Sequence, residues 1–414
     1  MSNTKIKQRT DYTFKHNQTK GRHGWLRLTP AYSVKIVREV LAQFNLPLKI
    51  IDPFSGTATT ALCAAQQGHQ ATTIDINPFL QWLGKVKTDF YNPDDINLAY
   101  QQAEQVLLAL SQGKVKAVAP PPIHNIERWW NPRALTFLCR LKGGLDALLP
   151  EKHKSTNLLL VAFCRTIIKL SNAAFNHQSM SFKDTKQTDI SENIDLLDNY
   201  DNIYRTELDA VLTTAINNPQ QPSQIIGGDA RQLNKLTQEK FDLLLTSPPY
   251  PNRMSYIREL RPYMYWLGYL KEAREAGELD WQAIGGTWGV ATSRLLEWQP
   301  NCTEFAPRYF TEILDRISRA NNKNGVLLSN YVAKYFEDIW THLKAVSKVM
   351  KHGGQVHYIV GNSTFYGVLL PTERLYADML NALAFKDITI QTVRKRNSKK
   401  ELFEFDVSAR FFTK

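Results

Sequence analysis

Several things are scarce in this chain, and each shortage removes a class of function. The four cysteines among its 414 residues, Cys63, Cys139, Cys164 and Cys302, lie far apart. Without paired spacing they form neither a zinc-ligand set nor a disulfide framework, so no metal is expected and reduced thiols fit a cytoplasmic setting. No run reaches the ~18 apolar residues of a membrane span, and the lysine-rich start from Met1 to Arg9 has no apolar h-region. The chain therefore reads as soluble, with no membrane partner. Acids are also short: 39 Asp and Glu against 51 Lys and Arg leave a net charge of +12. That balance favours a polyanionic partner. No internal repeat is visible, and the length allows one large domain with insertions or two domains.

What is present begins with a basic leader. Residues 1 to 40 hold nine Lys or Arg against the two acids Asp11 and Glu39, as a solvated tail or an arm along phosphates would. Thr29-Pro30 reads as a helix start, and Val34, Val37, Val40, Leu41 and Phe44 follow at helical spacing.

Leu48 to Asp52 reads as a buried strand. Pro53-Phe54-Ser55-Gly56-Thr57 then leads into an Ala-rich helix ending at Gly68, and a second strand, Gln70 to Ile76, carries Asp75 at its tip. A turn after one strand and an acid at the end of the next is a layout for holding a nucleoside, the acid accepting from ribose hydroxyls. Only Gly56 is present where a dinucleotide loop needs three glycines, and no Gly-Lys-Ser/Thr follows. A nucleoside without phosphate, such as S-adenosylmethionine, fits better.

Residues 93 to 223 are mostly helical in pattern (Leu98 to Leu110, Pro132 to Leu149, Asn157 to Leu170, Leu196 to Ile216), broken by a polar stretch from Ser171 to Glu192 that reads as a mobile loop. Trp129 and Trp130 suit either stacking on a base or anchoring these helices to the core, the core being the favoured reading. Strands follow at Gln224 to Gly227, before Gly228-Asp229-Ala230-Arg231, and at Phe241 to Leu245. An aromatic helix from Tyr256 to Leu270 comes next, then a loop with Gly277, Gly285, Gly286 and Gly289. Helices are expected from Glu304 to Asn322, Tyr331 to Met350 and Thr372 to Leu383. The last strands are Gln355 to Val360, Ile388 to Arg394 and Leu402 to Phe412.

The stretch least open to accident is Thr246-Ser247-Pro248-Pro249-Tyr250. Two prolines fix φ and remove two donors, so the chain leaves its strand as a stiff elbow with outward, unpaired carbonyls. A hydroxyl before the elbow and an aromatic ring after it suit a planar base with an exocyclic amine: amino hydrogens meet oxygens while the ring stacks on Tyr250.

Together these motifs resemble the S-adenosylmethionine-dependent amino-methyltransferases of DNA, of the type that methylates N4 of cytosine, over most of the chain from about Asp11 to Phe412. The resemblance implies an α/β, Rossmann-like, doubly wound sheet of seven strands, mostly parallel with an antiparallel C-terminal hairpin, carrying a helical insertion. It implies that Asp52, Pro53, Phe54, Ser55, Gly56 and Thr57 form the cofactor loop and that Asp75 with Ile76 grips the ribose. Asp229 with Ala230 would face the adenine edge, and the segment from Trp25 through Thr29 and Pro30 would close over the methionine end. Ser247, Pro248, Pro249 and Tyr250 would be the catalytic tetrad. The implied division is 1–92 for the arm and first half of the core, 93–223 for the insertion, and 224–414 for the second half.

The reaction expected is transfer of a methyl group from S-adenosylmethionine, leaving S-adenosylhomocysteine, to a cytosine flipped out of duplex DNA. Carbon-5 methylation would need a nucleophilic cysteine beside a proline on the elbow, and none lies there. Adenine N6 as target, an RNA amino-methyltransferase and a non-catalytic nucleic-acid-binding relative remain alternatives. Base reading is expected from 93–223 or 271–307, with Arg253, Arg258 and Arg261 beside the elbow contacting phosphates or bases. A restriction endonuclease is a possible partner.

Overall fold

A computed structural model describes residues 7–28, 31–45, 47–149, 153–174, 181–182, 196–287, 289–300, 304–396 and 401–413. The expected loop from Ser171 to Glu192 falls largely outside them, as do Thr29 and Pro30. Short apolar runs bounded by turn residues make the central strands, β1 (Lys49–Asp52), β2 (Gln70–Asp75), β3 (Ser223–Gly227), β4 (Phe241–Thr246) and β5 (Met350–Gly361). Two further strands, β6 (Phe385–Lys395) and β7 (Phe403–Phe411), close the chain. They form one sheet in the order β3-β2-β1-β4-β5-β7-β6, parallel from β3 to β5, with β7 antiparallel to both its neighbours.

Both faces of this sheet are covered, which is why Ile50-Ile51 in β1 and Leu243-Leu244-Leu245 in β4 are consecutive apolar residues rather than alternating ones. Ile50, Leu243 and Leu245 pack on one side against α1 (Val34–Leu41) and α2 (Thr59–Gln66). Ile51 and Leu244 pack on the other, against a cluster fed by α11 (Arg308–Arg319), α12 (Gly325–Ser347) and α13 (Thr372–Ala382). Here α1 to α13 count the helices of eight or more residues among those described.

The insertion supplies α4 (Pro93–Ser111), α5 (Pro132–Leu148), α6 (Lys154–Lys169) and α7 (Leu196–Ala215). Its core is continuous with α3 (Pro78–Thr88) and α8 (Tyr256–Trp266), so it buttresses two helices that border the C-terminal edge of the sheet. Trp129 and Trp130 are almost fully buried and stack on one another, and the Trp130 indole donates to the Ile167 carbonyl. They serve the core, as expected.

The described part of the basic leader is packed onto the core rather than a free tail. Asp11 pairs with Arg9 and Lys35, and the Tyr12 hydroxyl donates to Glu39 at 2.5 Å. Arg22, 1% exposed, donates to the carbonyls of Lys87, Asp89 and Ala215 and to the Asn218 side chain, joining the leader to both ends of the insertion. Such bonding from both terminal nitrogens offsets much of the cost of burying the guanidinium, whose Nε has no partner among the described residues.

Three helices lie beyond the sequence expectation: α3, α9 (Ala273–Gln282) and α10 (Val290–Glu297). Asn77 caps α3 by accepting from the Phe79 N–H, with Pro78 in the first turn, a start signal visible in the sequence. Gly277 lies inside α9 rather than in a turn: its Cα comes within 3.4 Å of where a Cβ on Gly289 would stand, so the glycine permits close approach.

Candidate active site

The reversal of strand order puts β1 and β4 side by side, and their C-terminal ends open on a common cleft. Its walls include Ser55, Gly56, Thr57, Asp75, Ile76, Asp229, Ala230, Ser247 and Pro249, around about 980 Å³ of empty space. The cofactor-loop motif and the double-proline elbow, some 190 residues apart in sequence, thus meet in one place. Pro53 and Phe54 also line it, while Asp52 lies beneath.

Local chemistry explains the loop. Asp52 Oδ1 accepts from the Phe54 N–H at 3.0 Å and the Thr246 hydroxyl at 2.5 Å. Gly56 takes φ +51°, which glycine adopts without strain, and its N–H donates to Asp75 Oδ2 at 2.9 Å. Asn77 N–H donates to Asp75 Oδ1 at 2.8 Å. Burial outweighs these donors and pushes the Asp75 carboxyl up to about 7; burial likewise raises Asp52. Behind the loop, fully buried Lys87 donates from Nζ to the Thr57 carbonyl at 2.5 Å, and burial lowers it to about 7.

The opposite wall is also pinned. Neutral His342, lowered to about 4 by burial, sits between the Ala230 carbonyl at 3.0 Å and the Tyr358 hydroxyl at 2.9 Å, with Phe54 edge-on to its ring. Asp229 lines the cleft, but both its oxygens are held by Arg231, which also binds Asp338 and the Gln282 carbonyl. A carboxylate expected to be free for an adenine edge therefore has only its remaining lone pairs to offer.

At the elbow, the Ser247 hydroxyl donates to the Ile359 carbonyl at 3.1 Å and lies 3.4 Å from the Tyr250 hydroxyl. The expectation of two unpaired carbonyls holds for one of them. Pro249 accepts from the Tyr335 hydroxyl at 2.7 Å, whereas no donor to the Pro248 carbonyl is found among the described residues. Pro248 is buried, and Tyr250 stands just behind the wall with the Arg396 guanidinium 5.0 Å from its ring centroid. The face expected to stack on a base is thus partnered on one side by arginine.

Thr29 and Pro30 lie outside the described residues; their neighbours Leu28, Ala31 and Tyr32 line the cleft. Trp25, expected at its methionine end, is instead core, bonded through its indole to Thr214. Arg253 is exposed, with φ +63°, its N–H on Tyr331. Arg258 is half-buried, and Arg261 lies 5.2 Å from the Trp129 ring. Sequence reading missed Asp280, Gln282, Ile284 and Gly286, which put part of 271–307 in the cleft wall. Asp280 is 1% exposed and accepts from Ser255 at 2.5 Å. Gly286 permits this wrap, since a Cβ there would stand 1.6 Å from the Asp280 carbonyl oxygen. Met254, Tyr256 and Ile257, just past the elbow, were missed as well.

The sheet order with its reversed β7, and a cleft at the β1/β4 switch point, define a Rossmann-like methyltransferase fold. Comparison then finds distant relatives among type II methyltransferases. M.MvaI of Kocuria varians is 21% identical over 346 residues, covering 80% of this chain and 74% of that protein. M.BsoBI of Geobacillus stearothermophilus is 22% identical over 453 aligned positions, covering 95% and 84%. M.AvaI of Anabaena variabilis is 21% identical over 428, covering 94% and 85%. No family model matches the chain. Among solved structures, TrmN from Thermus thermophilus is a loose likeness, 10% identical over 97% of this chain and 53% of its own, at a TM-score of 0.32.

Proposed function

We propose that this protein transfers a methyl group from S-adenosylmethionine to the exocyclic N4 amine of a cytosine flipped out of duplex DNA. One observation carries the reading: Ser247 and Pro249 line the same cleft as Ser55, Gly56, Thr57 and Asp75. The type II methyltransferase relatives support it.

The residues present fit the cofactor. Asp75 has lone pairs left after its two backbone donors, suited to a ribose diol, and Asp52 Oδ2 is a buried oxygen without a partner among the described residues. When bound, the cofactor supplies an electrophilic methyl group on a sulfonium. This chain's own work is positioning. Ser247 donates to the Ile359 carbonyl, so its oxygen keeps lone pairs with which to accept from an amino hydrogen, and the Pro248 carbonyl can accept the other. Cytosine's amine is a poor nucleophile because its lone pair is delocalised into the ring; two acceptors on its hydrogens draw the nitrogen towards tetrahedral geometry and aim that pair. The cofactor would give up its methyl group and keep the electron pair of the sulfur–carbon bond, and the amine proton released would go to solvent or a cleft acceptor. A paired base cannot reach this cleft, so the target is flipped, at a cost of about a few kcal/mol.

Incubation with methyl-labelled S-adenosylmethionine and duplex DNA or RNA, digestion to nucleosides and mass identification test the reading. Label in N4-methylcytosine from DNA is expected. Label in N6-methyladenine would move the target, and label in RNA alone would overturn the substrate class.

A further inference from the structure

The C-terminal hairpin reaches into the elbow. Glu404 on β7 is 3% exposed, although it is an acid with no place in the cofactor loop or the elbow motif. It lies beside Gly361 of β5 and Arg394 of β6 in the sheet. Arg394 holds it with two bonds, Nε to Oε2 at 2.8 Å and an Nη to Oε1 at 3.1 Å, while the Tyr250 hydroxyl donates to Oε1 at 2.8 Å. Gly361 makes room for this contact, because a Cβ there would fall 2.9 Å from the Tyr250 ring.

From this chain of contacts we infer that Glu404 is a positioning residue for methyl transfer, setting the direction of the hydrogen bonds that end at Ser247. This rests on the reading of the elbow as the amine-binding site. A carboxylate accepts only, so the single Tyr250 hydrogen goes to Glu404. It is then unavailable to Ser247, 3.4 Å away, and Ser247 spends its own hydrogen on the Ile359 carbonyl. The lone pairs of Ser247 are left for the target amine. Arg394 makes the arrangement one-way: in Glu404→Gln the amide oxygen turns to the guanidinium, which has no acceptor, and the amide N–H₂ turns to Tyr250. The Tyr250 hydrogen must then point at Ser247 and occupy a lone pair that the amine needs.

The test compares wild type, Glu404→Gln, Tyr250→Phe and the double variant for methyl transfer to duplex DNA, cofactor Kd by calorimetry, and folding by circular dichroism. Glu404→Gln should lower kcat by roughly tenfold or more with the cofactor Kd unchanged. Tyr250→Phe has no hydrogen to misdirect, so whatever that change costs by itself, adding Glu404→Gln to it should cost little further, a non-additivity that lost packing would not produce. An unchanged kcat in Glu404→Gln, or losses that simply add, overturns the inference. Should Glu404→Gln fail to fold, Arg394→Lys decides: it removes the two-bonded grip that fixes Glu404 and should lower kcat severalfold with the cofactor Kd unchanged, and an unchanged kcat there overturns the inference. Wild type that methylates no nucleic acid fails the underlying reading, and the inference with it; an active wild type with unaffected variants fails the inference alone.

Discussion

The Thr246 hydroxyl donates to Asp52 Oδ1 across 2.5 Å, tying the last residue of β4 to the last residue of β1. Both groups are fully buried, so the bond is made away from water, and it sets the elbow at a fixed distance from the loop that begins at Pro53. Thr246→Val keeps the shape and removes the donor, leaving a buried carboxylate with one bond fewer. A loss of about 1–3 kcal/mol is expected, together with weaker cofactor binding, because Asp52 also orders the loop through the Phe54 N–H. Thermal denaturation and calorimetry measure the two effects, and an unchanged cofactor Kd would separate the tie from the loop.

The two walls of the cleft should respond differently to substitution. Asp75 holds the Gly56 and Asn77 N–H groups and faces the space assigned to the ribose. Asp75→Ala is expected to raise the cofactor Kd at least tenfold. Ser247→Ala, on the far wall, is expected to lower kcat by about 10²-fold with the Kd within twofold. Equal loss of cofactor affinity in both would undo this division of labour.

The sheet, and the meeting of most of the candidate residues in one cleft, were legible because their signals are local and their placement follows from topology. Asp52, Asp75 and Ser247 each stand at the C-terminal end of an apolar run, and parallel winding brings such ends to one edge. What was not legible came from long-range packing. The helix expected from Tyr331 begins at Gly325, where a Cβ would stand 2.1 Å from the Ser318 carbonyl oxygen. Gly277 and Gly286 suggest a loop, although one sits within α9 and the other wraps the chain on Asp280, making a cleft wall of a segment expected to read bases. The grip of Arg231 on Asp229, and of Arg394 on Glu404, depends on neighbours that no spacing announces.

Two buried groups should shape the response to pH. Asp75 is raised from 3.8 to about 7, so between these values the folded protein keeps a proton that the unfolded chain has lost, and stability falls as pH rises. Lys87 is lowered from 10.5 to about 7, so above 7 the unfolded chain holds a proton that the fold has released, and stability rises with pH. Each slope is about 1.4 kcal/mol per pH unit at most. Urea denaturation from pH 5 to 10 should therefore show a shallow minimum near neutrality. Lys87→Met should flatten the rising limb alone. Cofactor binding, which favours the ionised Asp75, should release protons near pH 7 and tighten from pH 6 to 8; an affinity flat across that range would remove Asp75 from the binding step.

The arginines past the elbow divide by environment. Arg253 is exposed at the cleft mouth, its neighbour Met254 lining the wall, and no acid among the described residues pairs with its guanidinium. A phosphate contact there would release about one counterion, so Arg253→Ala should weaken duplex binding and reduce the slope of log K against log salt by about 0.9, with no change in Tm. Arg261, by contrast, packs on Trp129, and burial lowers its pKa. Arg261→Ala should cost stability, about 0.5–2 kcal/mol from the lost ring contact, while leaving the salt slope intact. Fluorescence anisotropy with a labelled duplex between 50 and 200 mM salt, about the range over which such contacts are titrated, measures both slopes. A slope that falls in Arg261→Ala and not in Arg253→Ala would exchange the two roles and move the nucleic-acid track from the elbow's mouth onto the face of α8.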